Sequence, residues 1–308
     1  MARILPPVLR RLPRTVRPFP GETIASYISR LAHANRLDAK ALRFYITGRR
    51  HRTPPFPAGR LAIVTGYPVT TLRYAIPDLS FGYGSLDGSY PNGIGLPQHK
   101  TDDGPPCRLC VLARGITLPV RCWKRPEDVV CLRHHRWTGP GAGTDQPDLS
   151  AQPDILQAHK QHRRLVRRFG RDAVAFEFAI ADQICRRWHE HRQHDGGFRD
   201  RMLIFHGSGW QVSPASPTVA AAIYPQSVAL TRLLASPYWQ ALSAPSRPDR
   251  QELFIAEVRR TVAPGYQWPQ PCRPADPLDS WITEHNLPGG HRPALFRYHS
   301  WPVPDPAA

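Results

Sequence analysis

The sequence predicts a mainly α-helical protein in three parts: a helical N-terminal domain, a small cysteine-bearing module and a second helical domain. Three observations carry this. Apolar residues recur at helical spacing in the first 80 residues and again beyond residue 154. Four of the six cysteines fall within residues 107–131. Stretches rich in Pro, Gly and other turn formers separate the parts. The expected boundaries are a basic Pro-rich arm over 1–20, a helical domain over 21–98, the cysteine module over 99–138, a linker over 139–154, a helical domain over 155–262 and a Pro-rich tail over 263–308.

The arm carries Arg3, Arg10, Arg11, Arg14 and Arg17 among five prolines and no acid, which predicts an extended segment that orders only on a partner. In "PGETIASYISRLAHANRL", Ile24, Tyr27, Ile28 and Leu31 share one helical face, with Thr23 as N-cap and Asn35 as stop. In "LDAKALRFYITG", Asp38 caps a second helix, Leu42, Tyr45 and Ile46 form its apolar side, and Gly48 ends it. A short helix around Leu61–Val64 then meets Gly66, and Pro68 opens another around Val69–Tyr74. Two short helices joined through a glycine suit a helix-turn-helix, which would turn Thr70, Thr71 and Arg73 toward bases or phosphates. An ordinary αα-hairpin fits the same spacing. Residues 81–106 read as a Gly-rich loop leading to the cysteines.

In the second helical domain, Ile155, Ala158, His162, Leu165, Val166 and Phe169 fall on one side of a helix, and Lys160, Arg163, Arg164, Arg167 and Arg168 on the other. A solvated face usually mixes charge signs. This one has no acid, so it suits a phosphate backbone as well as solvent. Gly170 ends the helix, and a longer, more buried one runs through Trp188. Of His189, His191 and His194, the last two share a helical face and read as solvated polar groups. "HGSGW" reads as a turn. "TVAAAIYPQSVALTRLLASPYWQAL" and "DRQELFIAEVRRTV" continue the helices, and the tail, with Trp268, Trp281 and Trp301, reads as mostly extended.

The net charge is +17, and only four of the 41 basic residues are Lys. A GC-rich genome would explain Arg over Lys, but not the scarcity of acids. The charge favours a nucleic-acid partner such as double-stranded DNA, and it fits an RNA or acidic-protein partner equally well. No apolar run approaches the ~18–20 residues of a membrane span. Prolines break the basic N-terminus and no small-residue cleavage site follows, so the chain reads as cytoplasmic. Its cysteines are then better suited to metal than to disulfides. No G-x-x-x-x-G-K-[ST] loop, H-E-x-x-H helix, G-x-S-x-G elbow or clear acidic triad is present, and no enzymatic activity is expected.

Within 107–137, "CRLCVLARGITLPVRCWKRPEDVVCLRHHRW", Cys107, Cys110, Cys131 and His134 form a C-x2-C-x20-C-x2-H pattern. Zinc takes four tetrahedral N or S ligands, and two tight knuckles supply them in pairs. "ITLPVRCW" and "DVVCL" suit strands with "KRPED" turning between them, as in a zinc ribbon. Cys122 lies outside both knuckles and reads as a small buried residue. His135 competes with His134, because C-x3-H spacing also binds zinc. Four protein ligands leave no position for a substrate water, so a single structural zinc is expected.

Two of these segments together resemble the TniQ family, which includes the TnsD-type target-selection proteins of transposons. "PFPGETIASYISRLAHANRL" (18–37) is similar to the family's opening, in which P-x-P-G-E leads into a Ser/Leu/Arg helix ending in Asn. Trp123, Pro126, Cys131 and His134 reproduce a W-x2-P-x4-C-x2-H run downstream of C-x2-C. The resemblance covers about residues 18–138, with "LAIVTGYPVTTL" between the two segments, and is weak beyond 140. Arg108 and Leu132 stand where the family commonly has Pro, and His135 stands where Gly usually follows the ligand His. The resemblance implies a non-enzymatic adaptor in DNA transposition. It would help select the target site, by binding target DNA or by docking onto an RNA-guided targeting complex, and recruit the transposon's AAA+ ATPase, in some systems as a homodimer. The residues expected at DNA are Arg10, Arg11, Arg14, Arg17, Thr70, Thr71, Arg73, Lys160, Arg163, Arg164, Arg167 and Arg168. A helix-turn-helix transcriptional regulator and a scaffold docking onto an RNA–protein complex are the alternatives.

Overall fold

The computed structural model of the protein describes residues 8–48, 56–80, 103–191, 194–243, 248–266 and 276–285. Among them twelve α-helices dominate, and the strands are four two-residue pieces. None of these helices is long and apolar enough to cross a membrane. The chain divides into two compact units, 1–160 with 200–222 and 161–199 with 223–308.

In the first unit, helix α1 (Ile24–Ala34) starts where the Thr23 hydroxyl accepts the Ser26 N–H. Helix α2 (Ala39–Thr47) starts where Asp38 accepts the Ala41 N–H, and it ends at Gly48 with φ 68°. These are the caps the sequence predicts. Helices α3 (Ala58–Thr65) and α4 (Val69–Ala75) follow, and Gly66 between them takes φ 74°, a left-handed conformation that glycine adopts without steric cost. A 3-10 turn, Pro77–Leu79, closes the segment. Tyr27, Leu31, Leu42, Ile46, Leu61, Val64, Leu72 and Ile76 form one core, fully or almost fully buried. Each buried Leu or Ile contributes about 1.5–3 kcal/mol relative to exposure.

The described part of the arm is not free. Leu9, Leu12 and Val16 pack against this core. The Leu12 N–H donates to the Val64 carbonyl, the Arg10 N–H to the Tyr45 hydroxyl, and Tyr27 donates to the Val16 carbonyl, all at 2.9 Å. Asn35 clasps Arg14 through both backbone groups, at 3.0 and 2.8 Å. Charge and proline content predict disorder here, but three apolar side chains spaced between the arginines tie the segment down.

The cysteine module also differs from the expected hairpin. Strand β1 (Asp103–Gly104) pairs with β2 (Cys122–Trp123), and β3 (Val130–Cys131) pairs with β4 (Arg136–Trp137), both antiparallel. The pieces on either side of "KRPED" therefore take different partners. The other edge of β2 is occupied by the helical domain: Trp123 N–H donates to Gly21 O and Thr23 N–H to Arg121 O, each at 2.9 Å. A second short helix, α5 (Arg108–Leu112), carries the first knuckle.

Residues 139–154 have the composition of a linker but are tied to the module. Trp137 N–H donates to Pro147 O at 3.0 Å, Leu149 N–H donates to His135 O at 2.7 Å, and the Leu149 side chain is fully buried. Helices α6 (Pro153–Phe169), α7 (Arg171–Glu190), α8 (Phe198–His206), α9 (Pro217–Leu234), α10 (Pro237–Leu242), α11 (Pro248–Thr261) and α12 (Pro277–His285) complete the order.

In the second unit, Trp188 on α7 donates its indole N–H to the Asp276 carboxylate, 3.1 Å from Oδ2. Trp281 on α12 is buried and stacks on Phe254 of α11 with ring centroids 6.0 Å apart. The tail thus contains a helix where extended chain is expected. Asp276 caps it by accepting the Leu278 N–H, and Pro277 opens its first turn. His194 is likewise no solvated group: it is buried against Trp188 and Tyr266, while His191 ends α7 and is exposed. Trp268, Trp301 and residues 81–102 of the expected 81–106 loop lie outside the described residues.

Candidate metal centre

The first knuckle is built by the start of α5. Pro105 and Pro106 bring extended chain into Cys107, whose backbone carbonyl accepts the Val111 N–H at 3.1 Å. One helical turn then sets Cys110 beside Cys107. The second knuckle is the turn between β3 and β4, with Cys131 ending β3 and His134 in the turn. His135 closes it at φ 47°, in the left-handed region.

Together the two knuckles place the Sγ atoms of Cys107, Cys110 and Cys131 and a ring nitrogen of His134 within 4.8 Å of one another. His134 Nδ1 lies 3.4 Å from Cys107 Sγ, 3.3 Å from Cys110 Sγ and 3.7 Å from Cys131 Sγ. Cys110 and Cys131 Sγ are 3.7 Å apart. In a tetrahedron with bonds of about 2.3 Å to sulfur and about 2.0–2.1 Å to nitrogen, the S–S edges are about 3.8 Å and the S–N edges about 3.5 Å. Four of the six donor–donor separations therefore match the edges of a tetrahedral site, all six lie within 4.8 Å, and the cluster can hold a metal ion such as zinc. No protein-family model, no curated protein and no solved structure matches the chain.

Burial first, and the neighbouring Cys131 second, push the Cys110 thiol up to about 12, and burial pushes Cys107 up as well, so these sulfurs would give up their protons only to a bound cation. His135 is exposed and outside the cluster, and its carbonyl serves the backbone at Leu149. Cys122 is buried with Phe19 and Val120, and its thiol donates to the Pro20 carbonyl at 3.7 Å. Burial pushes that thiol up to about 12, as it does Cys110, and what keeps Cys122 out of the site is its position away from the four grouped donors.

Three residues that hold this arrangement escape the sequence reading. Buried Gln146 donates to Pro106 O and accepts the Arg108 N–H, both at 2.9 Å, so one amide fixes the backbone on both sides of Cys107. Buried Glu22 pairs with buried Arg30 at 2.6 Å and also accepts from Phe19 N–H and the Ser26 hydroxyl. Ser26 Oγ in turn accepts the Arg121 N–H at 3.1 Å, just before Cys122. Asp78 is the third. Only Glu22 had a sequence signal, as the acid of P-x-P-G-E; the pairings of Gln146 and Asp78 are too long-range for spacing to show.

The residues expected at DNA are all described and all exposed: Arg10, Arg11, Arg14 and Arg17 along the arm, Thr70, Thr71 and Arg73 on α4, and Lys160, Arg163, Arg164, Arg167 and Arg168 on α6. Ile155, Ala158, His162 and Leu165 are buried, as the amphipathic reading of α6 requires. Among the described residues none of these arginines is held in an ion pair.

Proposed function

We propose that the chain is a zinc-containing, non-enzymatic adaptor of DNA transposition, one that binds double-stranded DNA and recruits the transposon's AAA+ ATPase. One observation carries the reading: the two TniQ-like segments, far apart in sequence, interlock. Gly21 and Thr23 of the first hydrogen-bond to Trp123 and Arg121 at the second. Parts of a single family motif should meet in this way. The left-handed φ of His135 adds support, because it falls where the family usually has Gly.

In this reading Cys107, Cys110, Cys131 and His134 hold one structural zinc, which ties the two knuckles together and takes no part in chemistry. Helices α3 and α4 act as a helix-turn-helix with Thr70, Thr71 and Arg73 toward the major groove. The arm and the α6 stripe meet phosphates.

The test uses the purified chain, duplex DNA and the ATPase encoded beside the same transposase. Salt-sensitive duplex binding and co-purification with the ATPase are expected. Absence of both sinks the proposal. Tight association with an RNA–protein targeting complex, without affinity for naked duplex, selects the scaffold reading instead.

A further inference from the structure

A cleft of about 550 Å³ lies in the first unit, between the arm, α1 and the loop that follows α5. Arg17, Arg30, His33 and Arg114 line it, and no carboxylate does. An adjoining cleft shares Arg30 and His33.

Arg30 is the informative member, because it is a buried cation only 4% exposed. Its Nε and Nη2 bind the two Glu22 oxygens at 2.8 and 2.6 Å, and Nη2 also donates to Arg17 O at 3.0 Å. Nη1 has no acceptor among the described residues, although its guanidinium is otherwise fully engaged. Arg30 lines the cleft, and Nη1 is the donor it has left for a ligand there. Glu22 offsets the charge of Arg30 from behind, and three further basic side chains surround the opening. Arg114 is held in place over the Phe19 ring, 4.6 Å from its centroid. Arg17 and His33 are exposed at the rim.

We infer that this cleft is a phosphate-binding site, in which Arg30 Nη1 anchors a phosphate oxygen and Arg17, His33 and Arg114 surround the rest. With Nε and Nη2 taken by Glu22 and Arg17 O, Nη1 is a single donor held in place, and its bond to a phosphate oxygen is charge-assisted. The phosphate comes either from a nucleic-acid backbone or from a free phosphate compound, and the former source rests on the proposed function.

The experiment titrates the full chain with inorganic phosphate, with a thymidine dinucleotide and with a duplex, alongside the R17Q/R114Q variant. Both positions are exposed, so the variant should keep the fold. Phosphate or dinucleotide should shift the His33 imidazole and the amide signals of Arg114–Thr117 in NMR spectra, and the variant should lose those shifts. If the backbone is the source, the slope of log affinity against log salt for the duplex should become shallower by about 0.9 in the variant, the contribution of one phosphate. Shifts with phosphate but no duplex binding retain the site as one for free phosphate and remove the DNA reading. Duplex binding with an unchanged slope, and no shifts with either small probe, overturns the site and leaves DNA binding standing. Shifts that persist in the variant overturn it too.

Discussion

The indole N–H of Trp123 donates to Asp78 Oδ2 at 2.7 Å, and the same oxygen accepts the Ile24 N–H at 3.0 Å. One buried carboxylate thereby joins β2 of the cysteine module, the first turn of α1 and the 3-10 turn after α4. Asp78→Ala leaves two donors without their acceptor in a closed environment. It should cost about 2–3 kcal/mol in chemical denaturation. Trp123→Phe should cost less than Asp78→Ala, since it removes one donor and keeps most of the apolar contact. Equal, negligible losses would show that this junction is slack.

The metal should stabilise more than its own knuckles, since β2 pairs with both halves of the first unit. Elemental analysis should find about one zinc per chain. Cys107→Ser, Cys131→Ser and His134→Ala should lose it, while His135→Ala and Cys122→Ala should keep it. Chelation should lower the melting temperature of the α1–α4 core along with that of the module. A core that melts unchanged after complete metal removal would separate the two.

Gln146 acts on the site through the backbone rather than as a ligand. Replacing it by Leu should lower metal affinity about 10–100-fold, the usual effect of removing a supporting group around a metal centre. Competition with a chromogenic chelator measures this, and retention of full affinity would deny the role.

His135 sits at φ 47°, where a Cβ is unfavourable. His135→Gly should therefore stabilise the module by about 1 kcal/mol or leave it unchanged, with metal content intact. Metal loss in this variant would reassign the fourth ligand.

In the second unit, the hydrogen bond from Arg260 first, and that from Arg232 next, hold the Glu257 carboxyl below its ordinary value. A depressed folded value means that the stability Glu257 adds is complete above the ordinary carboxyl range and is lost as pH falls through the folded value. Glu257→Gln should flatten the acid side of the stability profile and leave its neutral-to-basic side parallel to that of the parent chain. An unchanged acid limb would contradict the assignment.

Much of the helical part was legible because its signals are local. Thr23, Asp38, Gly48 and Gly66 act within a turn of where they stand, and the apolar face of α6 repeats every helical turn. The knuckle spacing points to four donors for the same reason, while His134 is set apart from His135 only by the turn itself, which places the first in the cluster and leaves the second exposed. What spacing could not supply were long-range partners. The strand expected across "KRPED" pairs elsewhere because Gly21–Thr23, about a hundred residues away, offers β2 its edge. The arm departs from the expected disorder for a related reason: Leu9, Leu12 and Val16 hold it against a core that sequence alone does not place. Helix α12 was readable from Asp276-Pro277 and the spacing of Leu278, Trp281 and Ile282, but the surrounding prolines obscured it.

The seating of the arm also alters what its arginines can do. A loose basic tail sweeps a wide volume and must surrender its freedom on contact, at roughly 1–2 kcal/mol per residue of backbone fixed. Here that ordering is completed during folding. Arg10, Arg11, Arg14 and Arg17 stand at set intervals on a segment pinned to the core, so any partner that met them would meet charges of fixed spacing.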